Sequence, residues 1–435
     1  MARVRSGGSD RGAGSRAARV AARDRSVLQS GVRERRPMRL LPFEYAVRNL
    51  GRSPARLVLS IAAAAIVVLM LVAAGGFVRG MSLSLQTSGG HHNVMLMGAG
   101  SEESVERSEV DAGVASLVAA SIPGIRSSGD VSFVSPEVHV ALPVLPGRIT
   151  QEAGAAGDRE GRLVMVRGVT PAAMLVHGQA QIIEGRLPAP GMNEVMVGAM
   201  AHTRIGASEH DLALGKTLHC AGRAWSIVGR FVAPGTVMEA EVWAPLTDVL
   251  EAAKRQTVST IVLTLDPSRA EFADVAAFTK MRVDLELSAT TERDYYARLQ
   301  SFYAPIRMGA WVTAGLIGLG GLLGGLNALY AAFAPRVREF GTVQAIGFRR
   351  GAIFFSLMQE SVIASAAGAL FACGVGVLAL DGLSVRFSMG AFGLVVDAPV
   401  IASALGAGLC LGVFGAWPPA WRCLRMPIPV ALKAA

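Results

Sequence analysis

A chain of 435 residues that is 51 % apolar and only 17 % charged, with a mean hydropathy of +0.42, does not have the composition of a soluble enzyme. Its 50 glycines and 6 % aromatic residues point to membrane helices that approach closely through small side chains. The formal net charge is +9, yet the first 56 residues alone hold 14 arginines against 4 acids, so the basic pI is no evidence for a nucleic acid or any other acidic partner.

Residues 1–37 are Arg, Gly, Ala and Ser without apolar periodicity, and read as a basic disordered tail that no apolar signal region follows. Met38 opens a more natural beginning, MRLLPFEYAVRNLGRSPARL, and a start there would lower the net charge to about +2. Over 38–56, Phe43, Val47 and Leu50 share a helical face near Arg48, Arg52 and Arg56, the pattern of an interfacial amphipathic helix bent at Pro54. The run 57–78 is long and apolar enough to cross a bilayer, as are 308–334, 352–380 and 398–420. Residues 79–307 form a large polar region, 381–397 a loop and 421–435 a tail.

Short basic segments set the orientation. Segment 335–351 and the tail after Trp421 each carry about +3, and they alternate correctly with the spans. Both termini and 335–351 are therefore expected on the cytoplasmic side of a membrane, with 79–307 and 381–397 outside. The expected fold class is an α-helical membrane protein with four transmembrane helices plus an α+β extracytoplasmic domain.

Within that domain, HHNVMLMG (91–98) has a strand-like centre. Ser108 and Asp111 read as the capping start of a helix that Pro123-Gly124 ends. VSFVSPEVHVALPV (131–144) is extended, and 146–160 reads as a flexible loop. A β-rich insert follows at about 161–250, with runs such as LVMVRGV and NEVMVG separated by Gly, Pro and Asn. STIVLTL (259–265) predicts a strand, 268–279 a helix, 282–289 a strand, and a helix from about 291 leads into the second span.

Few motifs carry chemistry. Gly215-Lys216-Thr217 ends like a phosphate-binding loop, but position 210 is His where a P-loop needs Gly, and β-prone sequence follows. His91 and His92 point oppositely on a strand and have no third ligand nearby, so no metal is expected, and Cys220 has no partner in the outer domain. Neither an intrinsic catalytic site nor a cofactor is expected. Small-residue pairs Gly320/Gly324, Gly321/Gly325 and Gly408/Gly412 permit close helix approach, either within one chain or at a dimer seam. Glu360, in the third apolar run, is expected at the cytoplasmic interface, paired with an arginine such as Arg349 or Arg350.

Segment 335–351, PRVREFGTVQAIGFRRG, has Val337, Phe340, Val343 and Ile346 near helical spacing, with Arg338, Glu339, Arg349 and Arg350 among them and Gly347 as the helix stop. This reads as a docked helix, not as a solvated loop.

RVREFGTVQAIGFRRGAIFFSLMQES (336–361) resembles the FtsX-like, MacB-type permeases of ABC transporters. The matching places are Arg336, Glu339, Gly341, Ala345, Gly347, Arg349, Arg350 and Glu360. LPFEYAVRNLGRSPARL, WPPAWRCLRMPIPVALKAA, EGRLPAPGMNEVMVG and LGKTLHCAGRAWSIVGRF resemble other parts of that family, so the likeness spans about 38–435. It implies a permease without its own ATPase domain, working with a separate cytoplasmic ABC ATPase and pairing with a second permease, as a homodimer or as two similar chains; a periplasmic adaptor or membrane-fusion protein is a further candidate partner. It also implies that 336–351 is a coupling helix seated on the ATPase, through which ATP binding and hydrolysis lever the outer domain during export or extraction. Two alternatives share the layout: an FtsX-like regulator of a cell-wall hydrolase, and an ion-coupled secondary transporter, which the lack of inverted repeats and buried ionisable groups disfavours.

Overall fold

The structure is a computed structural model and describes residues 54–147, 161–387 and 390–433. The expected tail at 1–37, nearly all of the interfacial helix at 38–56 and the loop core at 148–160 lie outside the described residues.

Helix α1 runs from Pro54 to Ser88. Its 35 residues span about 52 Å at 1.5 Å per residue, well beyond a hydrocarbon core of about 30 Å, so its last turns enter the large domain. Strand β1 (Asn93–Gly98) follows, then α2 (Val114–Ser121), the small β2 (Ser127–Ser128) and β3 (Val131–Ser132), and the long β4 (Val134–Pro146). After β5 (Arg162–Val169) come α3 (Ala173–Val176), β6 (Gln181–Gly185), β7 (Glu194–Gly198), α4 (Ala201–Ile205), β8 (Thr217–Cys220), β9 (Arg223–Val232), β10 (Val242–Pro245) and α5 (Leu246–Ala252). The domain closes with β11 (Thr260–Thr264), α6 (Phe272–Met281), β12 (Leu287–Thr291) and α7 (Glu292–Phe302).

One ten-stranded sheet unites these pieces in the order β12-β1-β11-β4-β5-β10-β7-β9-β6, with β8 bridging β4 and β9. β4 is the seam: its first half pairs with β11 and its second half with β5 and β8. One apolar core, including Leu96, Val118, Ile261 and Val275, lies under α2 and α6. The β-rich insert has its own core around Val164, Val197, Trp225 and Ile227.

Two local expectations differ from the structure. Ser108 starts no helix; its hydroxyl accepts the Gly98 amide, and Val110 bridges to Val258 in extended geometry, so α2 begins only at Val114. The strand expected at 282–289 begins at Leu287, because Val283–Leu285 make a helical turn and Glu286 takes a left-handed φ of 46°. Gly215 also has positive φ (77°), placing the Gly-Lys-Thr triplet on a turn into β8.

Helix α8 (Ala304–Phe333) follows α7 directly. Then come α9 (Val337–Ala345), α10 (Arg350–Ala379), the hairpin β13 (Ser384–Phe387) and β14 (Gly390–Gly393), α11 (Ala398–Leu424) and α12 (Ile428–Lys433). Among the described residues four helices, α1, α8, α10 and α11, are long and apolar enough to cross a membrane. α10 is the hub, with a stripe of Gly368, Ala372 and Gly376 buried against α1. A Cβ on Gly368 would sit 2.5 Å from the Ile61 carbonyl oxygen, and one on Gly376 would sit 2.7 Å from Val72. Only backbone contact at this distance lets the two helices touch, which is how apolar helices gain packing energy in lipid.

Candidate functional site

The segment after the second span forms α9, which lies on the ends of α10, α11 and α12. Val337 and Phe340 are buried in a cluster with Phe333, Ile353, Leu357, Leu424 and Ala431. Gly341 faces α12, where an added Cβ would meet the Ala431 methyl at 3.1 Å. This corrects the expectation of a free four-residue apolar face. Val337 and Phe340 dock onto their own chain and Val343 is half-buried, whereas Ile346 is 73 % exposed. The reason is helical phase: 337, 340, 341 and 344 fall on one face, and 338, 342, 345 and 346 on the other. Arg338, Glu339, Thr342, Ala345, Arg349 and Arg350 are exposed with Ile346.

α9 ends in a Schellman motif. The Gly347 amide donates to Gln344 O at 3.0 Å and the Phe348 amide to Val343 O at 3.3 Å, with Gly347 at φ 108°. Arg350 Nε then donates to Gln344 Oε1 at 3.3 Å, tying the start of α10 back to α9.

Glu360 pairs not with Arg349 or Arg350 but with Arg336, whose Nη1 lies 3.2 Å from Glu360 Oε2. Arg336 also lies 3.6 Å from Glu339 and stacks over the Phe340 ring, 5.2 Å from its centroid. Its position one residue before α9 aims it at α10, while Arg349 and Arg350 sit at the far end of the turn. Arg336 thus fixes α9 to the third span by charge, and Phe340 fixes it by packing.

The glycine pairs separate by role. Gly408 faces Ala369, where an added Cβ would lie 2.6 Å from the methyl, and Gly412 abuts Ser365 and Val362, so this pair seats α11 on α10. Gly321 abuts Val67 of α1. Gly320 and Gly324 have open space around them, and only 11 % of the most apolar stretch of the second span is buried within the chain.

A second polar constellation, invisible to the motif reading, lies where the domain meets the spans. Arg167 of β5, almost fully buried, donates to both oxygens of Glu241 at 2.7 and 2.8 Å and to Glu137 Oε2 at 3.0 Å. Glu137 of β4 also bonds His177 Nε2 at 2.8 Å, and Glu241 accepts from Trp243 Nε1 at 2.7 Å. Glu292, at the start of α7, accepts from the Gly90 amide and Asn93 Nδ2, each at 2.8 Å. Burial works against the charge of Glu137, but His177 and Arg167 hold its carboxyl well below the usual range. Burial likewise opposes a charged His177, and Glu137 outweighs it, so the ring is pushed toward the protonated form. His139 is lowered by burial and by Arg167, and stays neutral. The network joins β4, β5, β10, α7 and the residues just after α1.

Residues 57–280 match the family described as the MacB-like periplasmic core domain, and residues 311–428 match the FtsX-like permease C-terminal family. The first of these spans half of the chain. The chain belongs to the MacB/FtsX-like family of ABC-transporter permeases. Among solved structures, it is similar to the periplasmic region of MacB from Actinobacillus actinomycetemcomitans, at 14 % identity over 49 % of this chain and 94 % of that one, with a TM-score of 0.36. It is also similar to the extracellular domain of the noncanonic ABC-type transporter YknZ from Gram-positive bacteria, at 11 % identity over 46 % of this chain and 99 % of that one, with a TM-score of 0.32. No curated protein matches. As a MacB/FtsX-like permease, the chain is a multi-pass membrane subunit, and its periplasmic domain lies largely within the matched residues 57–280.

Proposed function

We propose that this permease couples ATP hydrolysis by a separate cytoplasmic ABC ATPase to motion of its periplasmic domain, for export or extraction of a substrate from a bacterial inner membrane. In this reading α9 is the coupling helix, both termini are cytoplasmic, a second permease copy lies along the second span, and a periplasmic adaptor engages the domain.

The observation that carries the reading is the two-sided character of α9. Its inner face is locked to α10 and α12 by Phe340, Gly341 and the Arg336–Glu360 pair, so force on it reaches the spans. Its outer face presents Ile346 between Arg338 and Arg349, an apolar anchor with basic flanks suited to a groove on another protein. The open Gly320/Gly324 face of the second span supports the second copy.

Ile346→Asp combined with Arg338→Glu should abolish co-purification of the ATPase while leaving the permease folded, because neither side chain packs inside the chain. Retained association with this double variant overturns the coupling assignment. Phe340→Asp is unsuited to this test, because it breaks the fold of the permease itself.

A further inference from the structure

A cavity of about 200 Å³ lies between the periplasmic domain and the membrane helices. The buried charge network forms its floor. The last turns of α1, the tyrosine face of α7 and the segment before α2 form its walls. On the floor every carboxylate is matched: Glu137 by Arg167 and His177, Glu241 by Arg167 and Trp243, Glu292 by Asn93 and the Gly90 amide. Arg167 thereby has its charge compensated by two carboxylates, Glu137 and Glu241.

Two wall groups are not matched. Ser84 of α1 is only 5 % exposed, yet its hydroxyl has no hydrogen-bond partner among the described residues. Glu106 is half-buried, and burial raises its pKa against the opposing pull of Arg107. Among the described residues no hydrogen bond or ion pair reaches its carboxylate. A half-desolvated carboxylate without a partner is costly to keep and is relieved by a cation. Between these groups the wall is apolar and aromatic, with Met81, Tyr295 and Tyr296 all buried. Burial keeps both tyrosines as neutral phenols, whose ring faces attract a cation.

We propose that this cavity is a binding site for a small amphipathic amine, with its protonated nitrogen against Glu106 and Ser84 and its apolar body along Tyr295, Tyr296 and Met81. An anion is excluded by Glu106, with Glu103 at the mouth adding to the same field. Water at about 30 Å³ per molecule fits the space and can satisfy Ser84, but it brings no charge to Glu106, whose carboxylate makes no direct ion pair among the described residues and feels only the nearby charge of Arg107. Because α1 and α7 are both walls, the occupant sits where the first two spans enter the domain. The site does not depend on the coupling role of α9, and the two readings fail separately.

The test is calorimetric titration of the full chain in lipid nanodiscs, with empty nanodiscs subtracted, using 4-phenylbutylamine, 4-phenylbutanol and 4-phenylbutyrate as probes. The amine should bind saturably and at least about tenfold more tightly than the alcohol, and the carboxylate should not bind. Glu106→Gln, at a carboxylate that holds nothing else in place, should weaken the amine about tenfold and leave the alcohol unchanged. Ser84→Met, which fills the space, should abolish binding of both. Equal binding of the three probes, an amine affinity indifferent to Glu106→Gln, or no saturable binding at all (a water-filled cavity) would each overturn the proposal.

Discussion

Arg167→Met removes the one strong cation from the charge network while preserving much of the side-chain volume. Arg167 is 3 % exposed at its side chain and makes three charge-assisted bonds of 2.7–3.0 Å to two carboxylates that are themselves 0 % and 7 % exposed. The substitution leaves Glu137 and Glu241 buried without their shared partner, and breaking such a pair from one side costs about 3–5 kcal/mol. Against a domain stability of about 5–15 kcal/mol this is a large fraction. For a domain of this size it corresponds to a fall in Tm of roughly 6–20 °C. The measurement is thermal unfolding of the full chain in detergent, followed by far-ultraviolet circular dichroism. The triple variant Arg167→Met, Glu137→Gln, Glu241→Gln should regain more than half of the loss, because the orphaned charges are gone. A single variant that loses less than about 1 kcal/mol, or a triple variant no more stable than the single, refutes the reasoning that paired charge holds this junction together.

Gly368→Leu should lower the thermal stability of the detergent-solubilised protein by at least about 1–3 kcal/mol, because the new side chain meets the α1 backbone, whereas Gly374→Leu, in open space, should be close to neutral. Stability of the periplasmic domain should also fall on both sides of a pH optimum. His177 is raised from its ordinary 6.5, so its contribution is present below that value and is lost as pH climbs through the folded-state value. Glu137 is depressed below its ordinary 4.5, so its contribution is present above that value and is lost as pH drops through the folded-state value. Unfolding midpoints from pH 2 to 9 check both limbs, and His177→Asn should flatten the alkaline one.

The membrane architecture was readable because its signals are local and redundant. Runs of about 20 apolar residues have few alternatives in water, and basic connections of 335–351 type accompany them. Strands such as NEVMVG and STIVLTL were readable for the same reason, since β-branched runs between turn residues leave one conformation favoured. Boundaries failed where a tertiary partner outranks local preference. Ser108 has the chemistry of a helix cap, yet in the fold its hydroxyl serves a strand amide ten residues earlier. Glu286 interrupts an apparently alternating strand because Arg282 and Asp284 close a turn on themselves, at 2.7 Å.

The two polar sites show why a helical wheel or a motif search can single out a segment and still misplace its contacts. Segment 336–351 announced itself by charge between spans, but spacing alone cannot say whether an apolar face meets its own chain or another. Val337 and Phe340 met their own because α12 returns beneath them, with Ala431 against Gly341, and that return is set by residues about 90 positions away. The buried network had no motif at all, since its charged members come from five separate stretches of sequence. It did leave one readable trace. Arg167 interrupts LVMVRGV, and Glu137 and His139 interrupt VSPEVHVALPV, in strands whose neighbours at both faces are apolar. A charge in a strand buried on both faces must find an opposite charge at similar depth, because leaving it unpaired costs more than a domain can spare. By that rule Arg167 calls for carboxylates at its neighbouring strands, and Glu137 on β4 and Glu241 just before β10 stand to either side of it.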